Sequence, residues 1–533
     1  MNAPERRMGR RMKILFYNWV DYLDDERRGG GVSLYQRNLL AALDAEGDVE
    51  ATFLSSGISF DLFARRPRWE RLRHGPRRER ARRFEIVNSG VLSPAHHSFG
   101  NPAQIEHTPT EAAFEDFVER TGPYDAVHFN NLEGLPARVL ERLKTRWPET
   151  RVIYSLHNYY PVCPQVNLWH RERENCTDFG GGRKCAICLP HRHDERLVRS
   201  ANAAAFILKK WGIRPGRWIF DRAFLPVLRV SRRLVRISAR LSRHGRKTPD
   251  TPALPDDMQG RAGGLTSLQP HFAVRRKEMV RLINENCDRV LCVSARVGTV
   301  AARYGISQKL LRTSYIGTNQ AEKFLETAPR KSLVGKDGRL TLGYLGYMRR
   351  DKGFFFLLDA LERLPGRIST HIRLVVAARQ GDRETMDRIA ALSAHLDGVL
   401  YADGYTHDKL DALLDQVDVG VVPVLWEDNL PQVAIEMHAR HIPLLTSDLG
   451  GAQELANCPE MVFKAGRATS LQARLAAILA GEITPADYWR NAVAPVSMEA
   501  HIAELRAIYA GGSQPSSRSS AARTPAKSRS LRH

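Results

Sequence analysis

The feature that most constrains the fold of this chain is the alternation of short, β-branched runs with helical patterns in two separate regions. The first region contains MKILFYN, VEATFLS, YDAVHFN, RVIYSLH, DRVLCVS and LRTSYIG, and the second contains RLTLGYLG, HIRLVVAA, GVLYADG, VDVGVVPV, IPLLTS and EMVFKA. Strands that are apolar at successive positions are covered on both faces, as in a parallel sheet between two layers of helices. Helical patterns such as Gly353–Leu364 and His407–Gln416 separate the strands of the second region. The sequence therefore predicts an α/β protein with two doubly wound parallel sheets, and it predicts a ligand cleft between the two domains.

The chain is too long for a single hydrophobic core, since its 533 residues correspond to about two to four domains. We assign a first domain to 12–325, a second domain to 335–485 and a terminal helix to 486–510. The basic N-terminus, 1–11, and the Ser- and Arg-rich tail, 511–533, have little to bury, which predicts disorder. No run approaches the roughly 20 apolar residues of a membrane span. The apolar run after the N-terminal basic residues is short and is followed by acids, which predicts a first β-strand at Lys13–Asn18 rather than a signal peptide. We expect a cytoplasmic protein.

The net charge of +21 predicts an anionic partner. The cationic residues gather in Arg65–Arg83, in Arg196–Lys247 and in the tail. Clustered charge of this kind fits membrane headgroups, nucleic acid or simple solvation, and the charge alone does not choose among them.

A basic insert at 199–277 interrupts the first region. It contains the helical pattern VLRVSRRLVRISARL, with apolar Val227, Val230, Leu234, Ile237 and Leu241 on one side and Arg229, Arg233, Arg236 and Arg240 on the other. This pattern is typical of a helix that lies on an anionic membrane surface, and it fits equally a helix packed on the first domain with a solvated Arg face. We expect 217–247 to contact a membrane in the first case.

Three stretches suggest a site for a diphosphate and a polyhydroxyl group. Glycines 29–31, which include Gly30 and Gly31, precede a helix whose N-terminal amides could receive an anion, although a flexible loop explains them as well. Arg349, Arg350 and Lys352 crowd before a glycine and a helix, where cations suit a diphosphate, and a solvated basic turn is the alternative.

The third stretch is LWEDNLPQVAIEMHA, which follows a predicted strand. We expect Asp428 or Asn429 to cap a helix that begins near Leu430. Glu427 and Asp428 would then stand beyond the carboxyl end of the strand, where α/β proteins bind ligands, and carboxylates accept hydrogen bonds from sugar hydroxyls. Capping explains Asp428 but not Glu436 or the acid of GGAQE.

A loop at 161–190 holds four of the seven cysteines. Cys163, Cys176, Cys185 and Cys188 could bind one tetrahedral structural zinc, with His170 as a substitute for one thiolate. The loop is polar and glycine-rich, which suggests that it has no core of its own and that a metal would help it fold. Four thiols without a metal are the alternative. We expect Cys287, Cys292 and Cys458 to be simply buried.

The motifs YLGYMRRDKG, VVPVLWEDNLPQVAIEMHA and IPLLTSDLGGAQE resemble the donor-binding half of family 4 glycosyltransferases, which are retaining and have the GT-B fold. GGGVSLYQRNLLAAL, VIYSLHNYYPVCP and LCVSARV resemble the acceptor-side half, including a subgroup with a Cys-containing loop after the His. The resemblance covers roughly Met12 to Tyr509. It implies a terminal helix that crosses back to the first domain.

The resemblance also implies residue roles, with His157, Asp428 and Lys352 in catalysis. Lys352 would hold the donor diphosphate, Glu436 the nucleotide ribose and Asp428 the donor sugar, with Glu427 as the alternative to Asp428. The family's usual Arg is Tyr347 here, so Arg349 or Arg350 would substitute, and the Asp that usually follows the His is Asn158. The donor-binding set implied is Gly30, Gly31, Arg349, Arg350, Lys352, Glu427, Asp428, Asn429, Leu430, Glu436 and Glu454.

The implied reaction is retaining transfer from a nucleotide sugar to a hydroxyl of a lipid-linked or other glycan acceptor, with no metal or other cofactor required for catalysis. The enzyme would act in surface polysaccharide or lipopolysaccharide assembly, in the cytoplasm or on the inner face of the cytoplasmic membrane. A basic nucleic-acid-binding protein and an inactive GT-B scaffold are the alternatives. The first requires basic residues interleaved with aromatic ones on one face, a pattern that the clustered charge does not show.

Overall fold

The computed structural model describes residues 10–189, 194–224, 226, 262–405 and 407–512. The chain divides into two compact units. Unit 1 comprises Met1–Val293 with Val297–Leu311, and unit 2 comprises Ser294–Arg296 with Arg312–His533. The domain limits assigned from the sequence, including the crossing of the terminal helix, stay predictions.

The core of unit 1 is an eight-stranded sheet with the order β10-β9-β6-β5-β1-β2-β4-β3. The pairs from β9 through β4 are parallel, and β3 joins the edge antiparallel to β4. Residues of β1 show why the sheet is internal, since Ile14, Leu15 and Tyr17 are fully buried. The strands of this unit are β1 Met12–Tyr17, β2 Val49–Ser59, β3 Arg68–Arg71, β4 Arg83–Val87, β5 Ala126–Phe129, β6 Arg151–Leu156, β9 Arg289–Cys292 and β10 Leu311–Thr313, besides a small hairpin of β7 Trp169–His170 and β8 Glu174–Asn175.

Helices connect these strands and cover the sheet. They are α1 Gly30–Glu46, α2 Thr108–Thr121, α3 Val139–Arg146, α4 Arg183–Ala186, α5 Glu195–Lys210, α6 Ala262–Asn286 and α7 Ala295–Arg303, whose first two residues belong to unit 2, and a π-helical turn spans Ile219–Phe224. Helix α5 packs on the sheet through Val198 and Ala203, which join Phe60 and Leu92 in one apolar cluster. The flanks of the predicted insert are therefore helices that belong to the unit.

Unit 2 is built on a six-stranded, all-parallel sheet with the order β13-β12-β11-β14-β15-β16. Its strands are β11 Leu340–Gly346, β12 Ile372–Ala378, β13 Gly398–Asp403, β14 Val419–Val422, β15 Leu444–Ser447 and β16 Val462–Phe463. Its helices are α8 Ala321–Glu326, α9 Phe354–Glu362, α10 Gly366–Ser369, α11 Arg383–Ala391, α12 His407–Leu414, α13 Gln432–His438, α14 Ala468–Leu479, α15 Pro485–Trp489 and α16 Met498–Tyr509. Because all the strands run in one direction, the loops after β11, β13, β14 and β15 meet at one edge.

The twelve predicted strands and the α/β fold class are confirmed, and the cationic stretch Arg65–Arg83 contributes to the sheet of unit 1. This stretch contains β3, and its last residue begins β4. Arg83 is fully buried and pairs with Asp21, and Arg82 pairs with Glu79 and Asp44. Guanidinium groups paired in this way can line a sheet edge, so the charge here is partly neutralised within the unit.

Two predictions concern the membrane. The predicted amphipathic helix, Val227 to Leu241, lies outside the described residues. Within the part of the chain that the structure describes, no helix has both the length and the apolar character needed to cross a bilayer.

Candidate functional site

The loop between β11 and α9 places Lys352 at the carboxyl edge of the unit 2 sheet. The loop must pass close to the chain that follows β14, because a Cβ on Gly353 would stand 1.6 Å from the carbonyl oxygen of Pro423. Gly353 also has a left-handed backbone, with φ of 71°, which glycine adopts at little cost. The backbone amide of Leu425 donates to the Asp351 carbonyl at 3.0 Å. The two loops are therefore fastened together beside Lys352.

The second loop brings Asp428 to the lysine. The Lys352 ammonium lies 2.5 Å from Asp428 Oδ2 and 5.3 Å from the centre of the Trp426 ring. Asp428 is buried, and so are Asn429 and Leu430, whereas the lysine side chain is partly exposed. The ammonium has three N–H donors, so its contact with the carboxylate leaves donor capacity for a further anion.

Glu427, the other acid of this pair, is held by a different group. Arg296 donates to both of its carboxylate oxygens, with Nε at 2.8 Å from Oε2, and the amide of Gly450 donates at 3.2 Å. Glu427 is buried, and bidentate pairs of this kind fix geometry. Both acids are therefore paired with a cation, Glu427 with Arg296 and Asp428 with Lys352, and the choice between them as the acid that faces a ligand stays a prediction.

Glu454, the acid of GGAQE, accepts three hydrogen bonds. The amides of Ala295 and Arg296 donate to it at 2.8 and 2.6 Å, and the Tyr315 hydroxyl donates at 2.7 Å. The preceding Gly450 allows the loop to approach Asp428, since a Cβ there would stand 2.3 Å from the Asp428 carbonyl oxygen. Glu454 and Glu427 therefore hold this loop in position.

Glu436 lies in α13 and is buried. The hydroxyl of Tyr405, which follows β13, donates to Glu436 Oε2 at 2.8 Å. Burial, together with the charge of Glu436 and the proximity of Tyr347, raises the pKa of the Tyr405 phenol. The loops after β11 and β13 and helix α13 therefore converge near this carboxylate.

The two arginines that could replace the family's usual Arg differ in their contacts. Arg349 donates to both oxygens of Asp351 at 2.9 Å, and its side chain remains 63% exposed. Arg350 is exposed, and it makes no side-chain hydrogen bond or ion pair with the residues that the structure describes. The choice between them stays a prediction.

The predicted N-cap of the helix after WEDN is wrong. Helix α13 begins at Gln432, and Pro431 is its N-cap, with an extended backbone and no side-chain hydrogen bond. The carboxylate of Asp428 is engaged by Lys352 instead. The two residues that match the sequence preference for a cap therefore remain outside the helix, in the loop that carries the site.

His157 directly follows β6, at the carboxyl ends of the parallel strands of the unit 1 sheet. Its Nε2 lies 3.0 Å from Asn130 Oδ1, and its ring is 5.3 Å from that of Tyr35 in α1. Asn158 donates to Glu133 Oε1 at 2.8 Å. The His and the Asn that replaces the family's Asp therefore contact polar residues that follow β5.

Sequence reasoning missed Glu133. It is buried and also accepts from the amide of Ala95 at 2.6 Å. Burial raises its pKa from 4.5 to about 7. The signal was present in FNNLEG, where two amides and an acid directly follow an apolar strand. Tyr405, Arg296 and Trp426 were missed as well, because their roles depend on contacts distant in sequence.

The glycine turn lies at the start of α1. Gly30 and Gly31 are the first two residues of this helix, and Gly30 has φ of 56°. The turn follows β1 at the same edge of the sheet as His157. This position is consistent with an anion site at the helix N-terminus, which stays a prediction.

The four loop cysteines line one small cavity together with His170 and Arg276. The loop packs against other parts of unit 1, since Cys185, Ala186 and Cys188 join Phe99 and Phe272, which lie outside the loop, in one apolar cluster. Among the described residues, no group of three His, Cys, Asp or Glu side chains is arranged to hold a metal ion. Burial raises the pKa of the Cys185 and Cys188 thiols to about 12. The zinc site stays a prediction.

Comparison with known proteins identifies the fold and the family that one segment of the chain resembles. Residues 326–494 match the family described as Glycosyl transferases group 1. Sucrose-phosphate synthase from Thermosynechococcus elongatus is 16% identical, with a TM-score of 0.51 over 94% of this chain and 99% of that chain. HepE of Anabaena, solved with UDP, is 13% identical, with a TM-score of 0.51 over 94% and 100%. No curated protein matches the sequence.

The fold is thus that of the GT-B glycosyltransferases. Within it, the segment that carries Lys352, Asp428 and Glu436 is similar to group 1 glycosyl transferases.

Proposed function

We propose that this protein is a glycosyltransferase that moves a sugar from a nucleotide-sugar donor, bound by unit 2, to a hydroxyl acceptor. The observation that carries the proposal is the pairing of Lys352 with Asp428 at 2.5 Å, between loops that follow β11 and β14. This pair lies in the segment that is similar to group 1 glycosyl transferases.

The lysine and its neighbours supply the charge that such a reaction needs. When the bond between sugar and diphosphate breaks, negative charge develops on the leaving phosphate. A cation fixed beside it stabilises that charge more in the transition state than in the ground state. The Lys352 ammonium can keep one donor on Asp428 and turn the others to the phosphate, while Asp428 accepts from a sugar hydroxyl. Glu436 would accept from the ribose hydroxyls of the nucleotide.

On the acceptor side we assign His157 to a position near the transferred sugar. Its orientation is fixed by Asn130, and the carboxyl group of Glu133 is adjacent through Asn158. We propose retention of configuration, with the acceptor hydroxyl attacking from the face that the diphosphate leaves, and catalysis without a required metal ion. Product stereochemistry and turnover in EDTA test these two points.

We propose a lipid-linked or other glycan acceptor of surface polysaccharide or lipopolysaccharide assembly, with the enzyme in the cytoplasm or at the inner membrane face. The support is the basic character of the insert between α5 and α6, in which the sequence of 217–247 is strongly cationic.

The first experiment is a thermal-shift screen of UDP, GDP, ADP and their sugar derivatives on the full chain. A ligand that binds only the folded state raises the melting temperature. UDP is the first probe, since HepE of Anabaena, which shares the fold, was solved with it. We expect one nucleotide series to give a shift of several degrees at 100 times its Kd.

The second experiment uses paired variants with the donor identified by the screen. Lys352→Ala and Glu436→Gln should each lower turnover or donor affinity by about 100-fold or more, which corresponds to the loss of one charged contact of about 3 kcal/mol. Lys331→Ala and Glu482→Gln are matched controls, since both residues are exposed and form no side-chain hydrogen bond or ion pair with the described residues. Wild-type activity in both site variants, or no shift with any nucleotide, overturns the proposal.

A further inference from the structure

The segment between α5 and the end of the π-helical turn presents large apolar side chains to solvent. Trp211 is 74% exposed, Trp218 is 69% exposed and Ile219 is 48% exposed. Single exposed apolar residues are normal on a protein surface. Three of them within nine residues are unusual, because a folded unit usually buries such a group or uses it to bind a partner. We call these three residues and the neighbouring cations Lys210, Arg217 and Arg222 the Trp–Arg surface.

Hydrogen bonds hold the backbone that carries this surface in place. Helix α5 ends at Lys210, and the amide of Ile213 donates back to the Leu208 carbonyl at 2.9 Å. Gly216 donates to the Asp221 carboxylate at 3.0 Å. The two tryptophans are therefore exposed on an ordered turn, and they are not the ends of a frayed helix.

The other side chains of this segment make contacts within unit 1. Phe220 is buried and its ring lies 5.1 Å from that of Phe224. Lys209 pairs with Asp25 and Glu26 at 2.7 and 2.6 Å, and Arg214 lies 3.4 Å from Asp25. These contacts hold the segment on unit 1, while Trp211, Trp218 and Ile219 stay exposed.

Most cations of the Trp–Arg surface have no carboxylate partner among the described residues. Arg217 and Arg222 are exposed and form no ion pair with a carboxylate of the described residues. Lys210 lies 3.1 Å from Glu70, with about half of its side chain exposed. The acid closest in sequence, Asp221, is engaged by the backbone of Gly216. The surface therefore combines indole rings with two arginines, Arg217 and Arg222, that no carboxylate of the described residues pairs with.

This combination fits an anionic lipid headgroup region better than it fits another partner. Indole rings are enriched at the membrane interface, where the apolar ring reaches the acyl boundary and the N–H stays among polar groups. Nearby Lys and Arg are attracted to anionic lipids. Nucleic acid would satisfy the charge and could stack on the rings, but it offers no apolar layer for Ile219.

We propose that the Trp–Arg surface docks unit 1 on an anionic lipid bilayer, with Trp211 and Trp218 inserted at the headgroup level. The inference deepens the proposed function, because a lipid-borne acceptor would be met at such a surface. Vesicle binding requires neither donor nor acceptor, so its failure is distinguishable from failure of the transferase proposal.

The test is co-sedimentation of the full chain with phosphatidylcholine vesicles that contain 0 or about 30% phosphatidylglycerol. We expect binding only with phosphatidylglycerol, and weakening with added salt. Trp211→Ala with Trp218→Ala should lower the affinity at least tenfold, as should Arg217→Ala with Arg222→Ala. The basic tail is present in every variant, so it cannot account for the differences.

Two controls make the result specific. Leu325→Ala removes an apolar side chain that is 86% exposed but lies in unit 2, and Lys331→Ala with Lys336→Ala removes two exposed cations from that unit. Both should bind vesicles like the wild type. Equal loss in the control and surface variants, or equal binding to neutral vesicles, overturns the proposal.

Fluorescence identifies the inserted residues among the eight tryptophans. Vesicles with brominated acyl chains should quench wild-type emission, whereas Trp211→Phe with Trp218→Phe should bind nearly as well and lose most of the quenching. Unchanged quenching in this variant contradicts insertion at the surface. Surface variants that lose affinity for a 20-nucleotide single strand but keep vesicle binding would assign the surface to nucleic acid and overturn the proposal.

Discussion

At the scale of single residues, the proposed donor site depends on groups that hold other groups in place. Lys352 meets Asp428 because Gly353 lets one loop pass within contact of Pro423. Arg296 holds Glu427, so the adjacent Asp428 is the acid that reaches the lysine. The site is therefore as sensitive to its loop geometry as to its charged residues.

The first prediction concerns Gly353. Gly353→Ala introduces a Cβ that collides with a backbone carbonyl at 1.6 Å in a left-handed conformation, so unit 2 should lose about 3 kcal/mol or more. Gly338→Ala is the control, since Gly338 also has a left-handed backbone, with φ of 74°, but faces open space. It should cost only about 1 kcal/mol. Urea unfolding of both variants measures the difference, and equal losses would show that the close approach does not constrain the loop.

The sequence predicted residue identities better than residue partners. Lys352, Asp428 and Glu436 could be singled out because they stand in motifs that resemble the donor-binding half of family 4 glycosyltransferases. Their partners Trp426 and Tyr405 could not, because an aromatic residue at a strand end is equally compatible with a core position. Glu133 was overlooked for a similar reason, since an acid within a loop is usually solvated.

At the scale of elements, strands buried on both faces were predictable, and elements rich in charge were not. The hydrophobic pattern and the apolar composition of β1 and β11 identify both segments as strands from the sequence alone. The edge strand β3, RWER, has alternating charges and becomes a strand by pairing with β4. The N-cap preference of Asp428 and Asn429 failed because tertiary contacts, here with Lys352, override a local preference of about 1 kcal/mol.

The Cys loop, 161–190, raises the question of what stabilises its fold, a metal ion or an apolar core. Its core around Phe99 and Phe272 could fold it without a metal, since buried thiols behave as small apolar groups. The guanidinium group of Arg276 is a cation beside the four thiols, 3.6 Å from the Phe179 ring, and it would offset the charge of thiolate ligands.

The second prediction follows from the proposed zinc site, which would give about one zinc per chain in protein purified without chelator, measured by mass spectrometry of metals. Cys185→Ser should lower the zinc content to near zero, whereas Cys458→Ser, a buried cysteine of unit 2, should leave it unchanged. If thiolates bind the zinc, unfolding should release the zinc and expose two or more ligand thiols at the same time. Wild-type protein without zinc that shows four titratable thiols in this loop after unfolding would favour the apolar core alone.

At the scale of the whole molecule, the net charge overstates how much positive surface is free. Arg83, Arg82 and Arg68 all come from the stretch with the highest density of cations, yet each pairs with carboxylates of unit 1. Part of the positive charge of this stretch is therefore neutralised within unit 1. The exposed cations without a carboxylate partner, such as Arg217 and Arg222, become visible only with the structure.

The two units should respond to pH in opposite directions. In unit 1, burial raises the pKa of Glu133 to about 7, so its contribution to stability is present below pH 4.5 and is lost as the pH rises through 7. In unit 2, burial lowers the pKa of His438 and of His501 from 6.5 to about 4. Their contribution is present above pH 6.5 and is lost as the pH falls toward 4.

The third prediction is that calorimetry resolves two unfolding transitions whose order or spacing changes between pH 5 and pH 8. From pH 8 to pH 5, unit 2 should lose about 2 kcal/mol for each of the two histidines, and unit 1 should gain about 2.5 kcal/mol from Glu133. Glu133→Gln should remove most of the pH dependence of one transition, and His438→Gln should reduce that of the other. A nucleoside diphosphate found in the thermal-shift screen should raise only the transition that His438→Gln affects. If Glu133→Gln and His438→Gln altered the same transition, the assignment of opposite pH responses to separate units would be wrong.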